Sequence, residues 1–323
     1  MMATKTHALF AALAITLAGA AAAQPAYPSK PVRIVLGYTA GGTADFVGRL
    51  TAEKLTQSMG QPVVFENRPG ASGNIAGQTV FNAPPDGYTL LMGAPAEMAI
   101  NPHVVKDQGF NPGAMVPIML AFDVPLGLLV PGKSPDQSLN DLLARARREP
   151  GKIMFANSGN GSPAHMANEM LALVTKTTMT QVPYKGGGPA MTDLIAGRVD
   201  AYFLGIPGAL PFVKNGNVRM LAVSTPRRSD IARDTPTLIE LGIPNFSFSL
   251  WAGYFGPPGT PEAVVQRINK EVLAAFELPD VKTKMVSAGA DFIRTTPAEF
   301  TAFMRAESQK YELLIKQIGY KGE

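Results

Sequence analysis

The stretch VRIVLGYTAGGTADFVGRLTAEKL, residues 32–55, predicts a strand, a glycine turn and a helix. Its first five residues, 32–36, form the β-branched run that is typical of a buried strand. Gly41 and Gly42 carry no Cβ, so the backbone of the turn can approach a ligand closely. Thr43 is the predicted N-cap, and the unpaired N–H groups of the first helical turn favour an anionic or polar group. A plain connection that binds nothing fits this stretch equally well.

The composition is that of a folded globular chain with more than one domain. At 323 residues the chain exceeds the size at which a single core keeps growing, which favours two domains. Hydrophobic residues make up 46% and charged residues 17%, a balance typical of globular proteins. The chain has no cysteine, which excludes disulfides, thiolate metal sites and cysteine nucleophiles. The formal charge of +4 is small and dispersed, and it does not indicate nucleic-acid binding.

Residues 1–23 have the pattern of a secretory signal peptide. Lys5 supplies the positive start, an apolar run rich in Ala and Leu covers residues 8–22, and three alanines precede Gln24 as a cleavage pattern. The apolar run is shorter than the roughly 20 residues that a membrane-spanning helix needs. We therefore expect cleavage and export, with an uncleaved anchor as the alternative.

The order of strand, small-residue corner and helix recurs along the chain. Further corners of this kind occupy residues 67–74, 93–96, 157–165 and 184–189. Alternating strands and helices predict parallel sheets, and ligands of such sheets bind just outside the carboxyl ends of the strands. Two lobes of similar design with a cleft between them are therefore expected. The apolar segments 117–130 and 246–255 are the predicted crossings between the lobes.

One corner of the second half resembles a dinucleotide fingerprint. Gly159, Gly161 and Ala164 spell Gly-x-Gly-x-x-Ala. A dinucleotide site also requires an acidic residue about 20 positions later to hold a ribose, and residues 179–185 contain no carboxylate. The fingerprint is therefore incomplete, and no cofactor is expected.

The chain also lacks a complete catalytic or metal-binding motif. His103 and His165 are the only histidines after the predicted signal, and no cysteine or carboxylate cluster accompanies them in sequence, so no metal site is expected. A serine-type hydrolase could use Ser158 or Ser162 with His165, although the hydroxyls of this corner also suit a helix cap. We predict a protein that is not an enzyme, and keep the exported hydrolase as the alternative.

Five segments carry a family resemblance. They are YPSKPVRIV (27–35), AGGTAD (40–45), ENRPGASG (66–73), VPYKGGGPAMTDLIAGRVD (182–200) and WAGYFGPPGTP (251–261). Together and in this order, they resemble the substrate-binding receptors of tripartite tricarboxylate transporters, the Bug-type periplasmic proteins. The resemblance extends over essentially all of the chain that follows the predicted signal.

The resemblance implies an α/β, two-lobed periplasmic-binding fold of type II with two crossover segments. Residues 24–125 and 252–323 would form the first lobe, and residues 126–251 the second. It also implies a small carboxylate, or a related aromatic acid or amide, held between closing lobes, with one carboxylate bound by first-lobe backbone N–H groups and waters. Inner-membrane transporter subunits are the implied partners of a monomeric receptor. A sensor that reports to a signalling partner remains open.

The corners and the resemblance together yield a predicted set of ligand contacts. They are Tyr38, Thr39, Ala40, Gly41, Gly42, Thr43, Asp45, Gly70, Ala71, Ala94, Pro95, Ser158, Gly159, Ser162, His165, Tyr184, Lys185, Gly186 and Asp200. For Asp45 a ligand role and a simple interaction with the helix dipole both remain open. The sequence departs from the family after the third strand, where hydroxyl residues are replaced by Ala94-Pro95-Ala96-Glu97. We hypothesise that Glu97 meets a cationic or amide-bearing group.

Overall fold

The computed structural model of the protein describes residues 27–288, 290 and 293–322. The predicted signal peptide, residues 1–23, lies outside the described residues. Across the described residues, no helix has the length and the apolar character needed to cross a bilayer.

The chain opens with the predicted β-α-β-α-β unit. Its elements are β1 (Val32–Leu36), α1 (Thr43–Met59), β2 (Val63–Asn67), α2 (Asn74–Phe81) and β3 (Thr89–Gly93). β1 pairs in parallel with β2 on one side and with β3 on the other, which confirms the predicted parallel sheet. Ile34, Val35 and Leu36 are fully buried, as expected for a strand that helices cover on both faces.

A short 3₁₀ turn (Ala71–Gly73) precedes α2, and a π-helical turn (Ala96–Ile100) follows β3 and continues into α3 (Asn101–Val104). The middle of the chain contains β4 (Val116–Pro131), α4 (Leu139–Arg148), β5 (Met154–Asn157), α5 (Pro163–Thr175), β6 (Thr180–Pro183), α6 (Gly187–Ile195), β7 (Ala201–Gly205), α7 (Ile206–Lys214) and β8 (Val218–Val223). The last elements are β9 (Ser249–Gly256), α8 (Glu262–Glu277), α9 (Pro279–Ser287) and α10 (Pro297–Ile318).

The long strand β4 belongs to both halves of the sheet. In the described part of the chain the strand order is β2-β1-β3-β9-β4-β7-β5-β6, and β8 also pairs with β4. Residues 116–125 of β4 pair with β9, whereas residues 126–131 pair with β7 and β8. β4 therefore exchanges partners between Pro125 and Leu126, within the apolar segment predicted to be a crossing.

Two helix starts test the predicted N-caps. The prediction for Thr43 is wrong: α1 begins at Thr43, Gly42 is the cap, and no side chain caps the helix. The Asp45 carboxylate is the group that acts at this corner, because it accepts a hydrogen bond from the Gly41 N–H at 3.1 Å. At the corner before α5, whose hydroxyls were expected to suit a helix cap, the cap is Ser162, and its Oγ accepts the N–H of His165 at 3.2 Å.

The hydroxyl of Ser224 joins the two segments that run between the halves. The N–H of Leu126 donates to Ser224 Oγ at 2.9 Å, and Ser224 Oγ donates to the carbonyl of Phe248. The backbone of Ser224 also bonds to both residues, at 2.9 Å and 3.0 Å. Because Ser224 is fully buried, these bonds tie β4 to the segment that leads into β9, at the point where β4 exchanges partners.

The C-terminal helix α10 provides a further link between the halves. It packs on β4 and the π-helical turn, and it also contacts α5. Beyond its end, the ring of Tyr320 lies edge-on against His165 of α5, with 5.1 Å between the ring centroids.

We predict that Ser224→Ala lowers the free energy of unfolding by about 1–3 kcal/mol, because the buried Leu126 N–H and Phe248 carbonyl each lose this partner. Denaturant unfolding of the mature chain, followed by circular dichroism, measures the change. Ser229→Ala is the matched control: Ser229 is buried, but its Oγ makes no hydrogen bond to any described residue. A change within about 0.5 kcal/mol is expected for the control. Equal losses for the two variants would contradict the role of Ser224.

Candidate functional site

A cleft of about 540 Å³ lies between the two halves of the sheet. One wall comes from the first half, at the corner before α1, at Ser72 and at the start of the π-helical turn. The opposite wall is the turn 158–163 before α5. The crossing strands contribute Phe122, Val124 and Trp251 between these walls. A volume of this size suits a small organic ligand.

The structure brings nine of the predicted contacts together in this cleft. They are Tyr38, Thr39, Gly42, Thr43, Ala94, Pro95, Ser158, Gly159 and Ser162. They come from three separate segments of the chain, residues 38–43, 94–95 and 158–162, and each segment is a corner at the end of a strand or the start of a helix. The cleft therefore lies where the sequence predicts a ligand site, at the corners that follow the strands.

Other predicted contacts lie beside the cleft in structural roles. The Asp45 carboxylate accepts hydrogen bonds from Gly41 N–H, Arg49 Nε and Asn67 Nδ2. Desolvation works to raise the pKa of Asp45, but these hydrogen bonds outweigh it and the pKa lies below its ordinary value. Asp45 thus holds the corner before α1 from behind. Ala40 and Gly41 of that corner are exposed, and Gly41 lines a separate surface cavity.

The predicted contacts of the second half are divided in the same way. Tyr184 donates its hydroxyl to Asp193 at 2.8 Å, and Asp200 accepts from Arg145 Nη1 at 2.7 Å and from the N–H of Met154 at 2.8 Å. Asp200 therefore braces β5 against α4. Lys185 is exposed and Gly186 is the N-cap of α6, and neither lines the cleft.

His165 is buried behind the second wall and is engaged by the backbone. Its Nδ1 accepts the N–H of Gly161 at 3.1 Å, and its own N–H is capped by Ser162 Oγ. Its Nε2 lies 3.6 Å from Glu169. Ser162 and His165 thus shape the turn before α5, which is a different arrangement from a serine activated by an imidazole base. No cluster of metal-ligating side chains occurs among the residues that the structure describes.

The corner before α2 has an unusual backbone. Four successive residues have positive φ: Gly70 (139°), Ala71 (47°), Ser72 (51°) and Gly73 (92°). Two of them carry side chains, for which this conformation is strained, and such strain is found where the surrounding structure enforces a functional geometry. Gly70 and Ala71 do not line the cleft, but they turn the chain so that Ser72 does. Ser72 is absent from the predicted contacts.

Glu97 lies behind the cleft wall and not in the cleft. It is fully buried, its Oε2 accepts the Tyr38 hydroxyl at 2.6 Å, and its Oε1 accepts the Ala94 N–H at 2.8 Å. Burial raises the pKa of Glu97 to about 7 despite these two hydrogen bonds and a third from its own backbone N–H. Both donors belong to residues that line the cleft. The geometry therefore does not support direct contact between Glu97 and a ligand.

The cleft is polar at its walls, apolar between them and uncharged. None of the described residues that line it carries a formal charge. Hydroxyls, backbone amides and the Asn101 side chain are the polar groups, and Phe122, Val124, Leu250 and Trp251 are the apolar ones. Trp251 is the only tryptophan in the chain, and its Nε1 donates to the buried Glu307 of α10 at 2.9 Å.

Sequence reasoning missed these apolar residues. All four lie in the segments 117–130 and 246–255, which are predicted to cross between the lobes. Their position in these crossings is the only sequence signal that could have indicated them. Which side chains of a crossing strand face a cleft depends on its pairing, and β4 contains two register shifts opposite β9. The period of two that normally assigns faces is therefore interrupted.

Comparison with known proteins identifies a matching family and several similar proteins. Residues 47–320 match the model of the tripartite tricarboxylate transporter family receptor. The chain is 33% identical to the protein BugT of Bordetella pertussis over 325 residues, which cover 97% of this chain and 98% of BugT. The solved structure of R. palustris Rpa4515 with adipate is similar, with a TM-score of 0.79 and 33% identity over 91% of this chain and 98% of that one.

A second solved structure is similar in the same way. MatC (Rpa3494) from Rhodopseudomonas palustris, with bound malate, has a TM-score of 0.76 and 29% identity, and the match covers 90% of this chain and all of that one. Solved periplasmic binding proteins share the architecture of this chain, which confirms the predicted two-lobed fold.

The position of Glu97 predicts a pH-dependent stability. Its pKa is about 7 in the folded chain and near the ordinary value of 4.5 when unfolded. Between these values the folded state keeps a proton that the unfolded state has released. This contribution to stability is therefore complete below pH 4.5 and is lost as pH rises through 7, by roughly 3 kcal/mol in all. Glu97→Gln should remove this decline from denaturant unfolding measured between pH 4.5 and 8.

The control for this measurement is Glu312→Gln, which changes an exposed carboxylate paired with Lys316 on α10. Its unfolding free energy should follow the wild-type pH dependence. If wild type and Glu97→Gln showed the same slope between pH 4.5 and 7, the raised pKa of Glu97 would be refuted.

Proposed function

This chain belongs to the tripartite tricarboxylate transporter receptor family, and we propose that it captures a small dicarboxylate in the periplasm and delivers it to membrane transporter subunits. The solute-binding role is that of the family. The ligand class, the compartment, the partners and a monomeric state are our proposals. Adipate and malate, the molecules bound in two similar structures, are both dicarboxylates.

The single observation that carries this proposal is the arrangement of polar and apolar groups in the cleft. Each wall presents a helix start, α1 on one side and α5 on the other, together with hydroxyls. Helix starts and neutral donors favour anionic groups. The residues between the walls are apolar. A molecule with one carboxylate at each end and a hydrocarbon or aromatic middle complements this pattern.

We propose that the contacts are the nine predicted residues that line the cleft, joined by Ser72, Asn101 and the apolar residues of the crossing strands. Asp45, Gly70, Ala71, His165, Tyr184 and Asp200 support these contacts from behind. Because no charged side chain lines the cleft in the described residues, the donors of carboxylate binding are neutral. Each such donor has a fixed direction, so it selects geometry as well as charge.

The proposed mechanism is closure of two lobes, residues 24–125 with 252–323 and residues 126–251. A ligand that contacts both walls binds the closed state more tightly than the open state and shifts the equilibrium toward closure. Ser224 lies where both crossing segments meet, so the bonds that it makes hold the pivot while the lobes move. A chemical step is not part of this mechanism, because the engaged His165 does not serve as a base for Ser162.

Calorimetric and fluorescence titration of the mature protein with adipate, malate and hexanoate tests the ligand class. We expect each dicarboxylate to bind at least 10-fold tighter than hexanoate, because hexanoate leaves one wall without an anion, and tenfold corresponds to about 1.4 kcal/mol. Trp251 emission should change on binding, since this residue lines the cleft. Adipate recovered afterwards should be chemically intact.

Two threonine variants make the test specific. Thr43→Val removes a hydroxyl at the cleft and should weaken adipate binding about 5-fold, or about 1 kcal/mol. Thr79→Val is the control, because its exposed hydroxyl bonds only to the Ile75 carbonyl of its own helix in the structure, and binding should not change. Equal affinity for hexanoate and adipate, or no binding of any acid, would reject the dicarboxylate proposal.

A further inference from the structure

A buried carboxyl connects three parts of the first cleft wall. The carboxyl of Glu97 accepts hydrogen bonds from Tyr38, in the corner before α1, and from Ala94, after β3. It also packs on Gly73 of the strained corner, where an added Cβ would lie 2.6 Å from Glu97 Oε2. Glu97 itself is fully buried. Its position is therefore specified from three sides, and two of its partners line the cleft.

The ionisable groups around Glu97 are few. Tyr38 is the one in contact with its carboxyl, and burial beside Glu97 raises the pKa of that phenol well above its ordinary value, so Tyr38 stays protonated. The 3₁₀ turn at residues 71–73 has no ionisable side chain. Asp45 lies on the far side of the Tyr38 corner and bonds to Arg49.

The remaining neighbours of the π-helical turn face elsewhere. His103 of α3 contacts Ser308 of α10 at 3.1 Å. Arg305 and Glu312 of α10 line a separate cavity beside Met98. No cation is among the groups that bond to the Glu97 carboxyl in the described residues. A negative charge on Glu97 is therefore balanced by neutral donors alone: the Tyr38 hydroxyl and the backbone N–H groups of Ala94 and of Glu97 itself.

We propose that Glu97 takes up one proton when a carboxylate ligand enters the cleft, and that the hydrogen bond between Glu97 and Tyr38 then reverses direction. This inference rests on the proposed function, because it needs a carboxylate as the ligand. It assigns Glu97 as a positioning residue that acts through Tyr38.

In the ligand-free protein with Glu97 ionised, the Tyr38 O–H donates to Glu97 Oε2. When the ligand binds, a proton from the solvent adds to Oε2, and this new O–H donates to the Tyr38 oxygen. The Tyr38 O–H then turns to donate to the ligand carboxylate. No bond of the ligand is made or broken, and the protein gains one positive charge for the negative charge that it accommodates.

Electrostatics favours this exchange. A negative charge on buried Glu97 and one in the cleft that its partners Tyr38 and Ala94 line repel each other, because the protein screens them less than water does. Protonation of Glu97 removes the repulsion and supplies the ligand with an additional donor through Tyr38. The raised pKa of Glu97, about 7, keeps the cost of protonation small at neutral pH.

Calorimetric titration with adipate at pH 7.5, in two buffers of different ionisation enthalpy, counts the protons taken up. At this pH roughly three quarters of Glu97 is ionised, so uptake of roughly 0.75 proton per adipate is expected. Affinity should fall with rising pH between 6.5 and 9, approaching 10-fold per unit at the upper end. Carboxyls of the ligand titrate well below this range and do not contribute.

Three variants separate the proposal from a general effect of charge. Glu97→Gln should bind adipate with uptake near zero and with an affinity that does not change between pH 6.5 and 9. Glu312→Gln, on the helix that packs against the same turn, should keep the wild-type uptake. Tyr38→Phe, which retains Glu97 in case Glu97→Gln does not fold, should lose about 10-fold in affinity at pH 6.5 and much less at pH 9.

The outcomes distinguish this inference from the proposed function. Adipate binding without proton uptake in the wild type would overturn the inference and leave the dicarboxylate proposal standing. Unchanged uptake in Glu97→Gln, or an equal loss at both pH values in Tyr38→Phe, would overturn it as well. If neither adipate nor malate bound at all, both proposals would fail together.

Discussion

A single strand shared by both halves of the sheet is the constraint on which this structure depends. β4 pairs with β9 along its first part and with β7 and β8 along its second, so each half takes its alignment from the same backbone. The Ser224 hydroxyl bonds to both crossing segments at the change of partner. This point and the C-terminal helix α10 are therefore the places where the two halves are held to each other. The cleft lies beside the change of partner, because the side chains of the same strands line the cleft.

An uncharged cleft changes what recognition of an acid requires. A lysine or arginine would attract any anion, whereas hydroxyls and backbone amides bind only a group that their directions match. The strain at residues 70–73 fits this requirement, because a backbone held in a rare conformation keeps its donors in place. The strained backbone destabilises the fold locally, but it places Ser72 at the cleft. The local backbone geometry therefore contributes to the selection of the ligand.

The sequence predicted the parts of this structure that depend on local signals. Glycine corners, the parallel opening unit and the crossing at 117–130 follow from residue type and periodicity, and four of the five corners line the cleft, whereas the corner at 184–189 does not. Contacts between distant residues could not be predicted in this way. Tyr38 and Glu97 are 59 residues apart, and Arg145 and Asp200 are 55 apart, so their pairing depends on strand order. For this reason Asp200 was expected in the site, whereas it pairs with Arg145. Ser72 was not expected there, because it reaches the cleft through an unusual backbone conformation at residues 70–73.

The position of Glu97 shows why one buried acid can matter more than an additional cleft residue. A carboxyl without a cation costs stability, and an amide of the same shape would avoid that cost. The three corners of the first wall nevertheless pack on this carboxyl: Tyr38 and Ala94 donate to it, and Gly73 leaves room for it. A change in its charge therefore alters both donors at once. If Glu97 takes up a proton when the ligand carboxylate binds, ligand binding and the arrangement of the wall are coupled. Protonation then removes the buried negative charge, and the stability that this charge costs is regained in the complex.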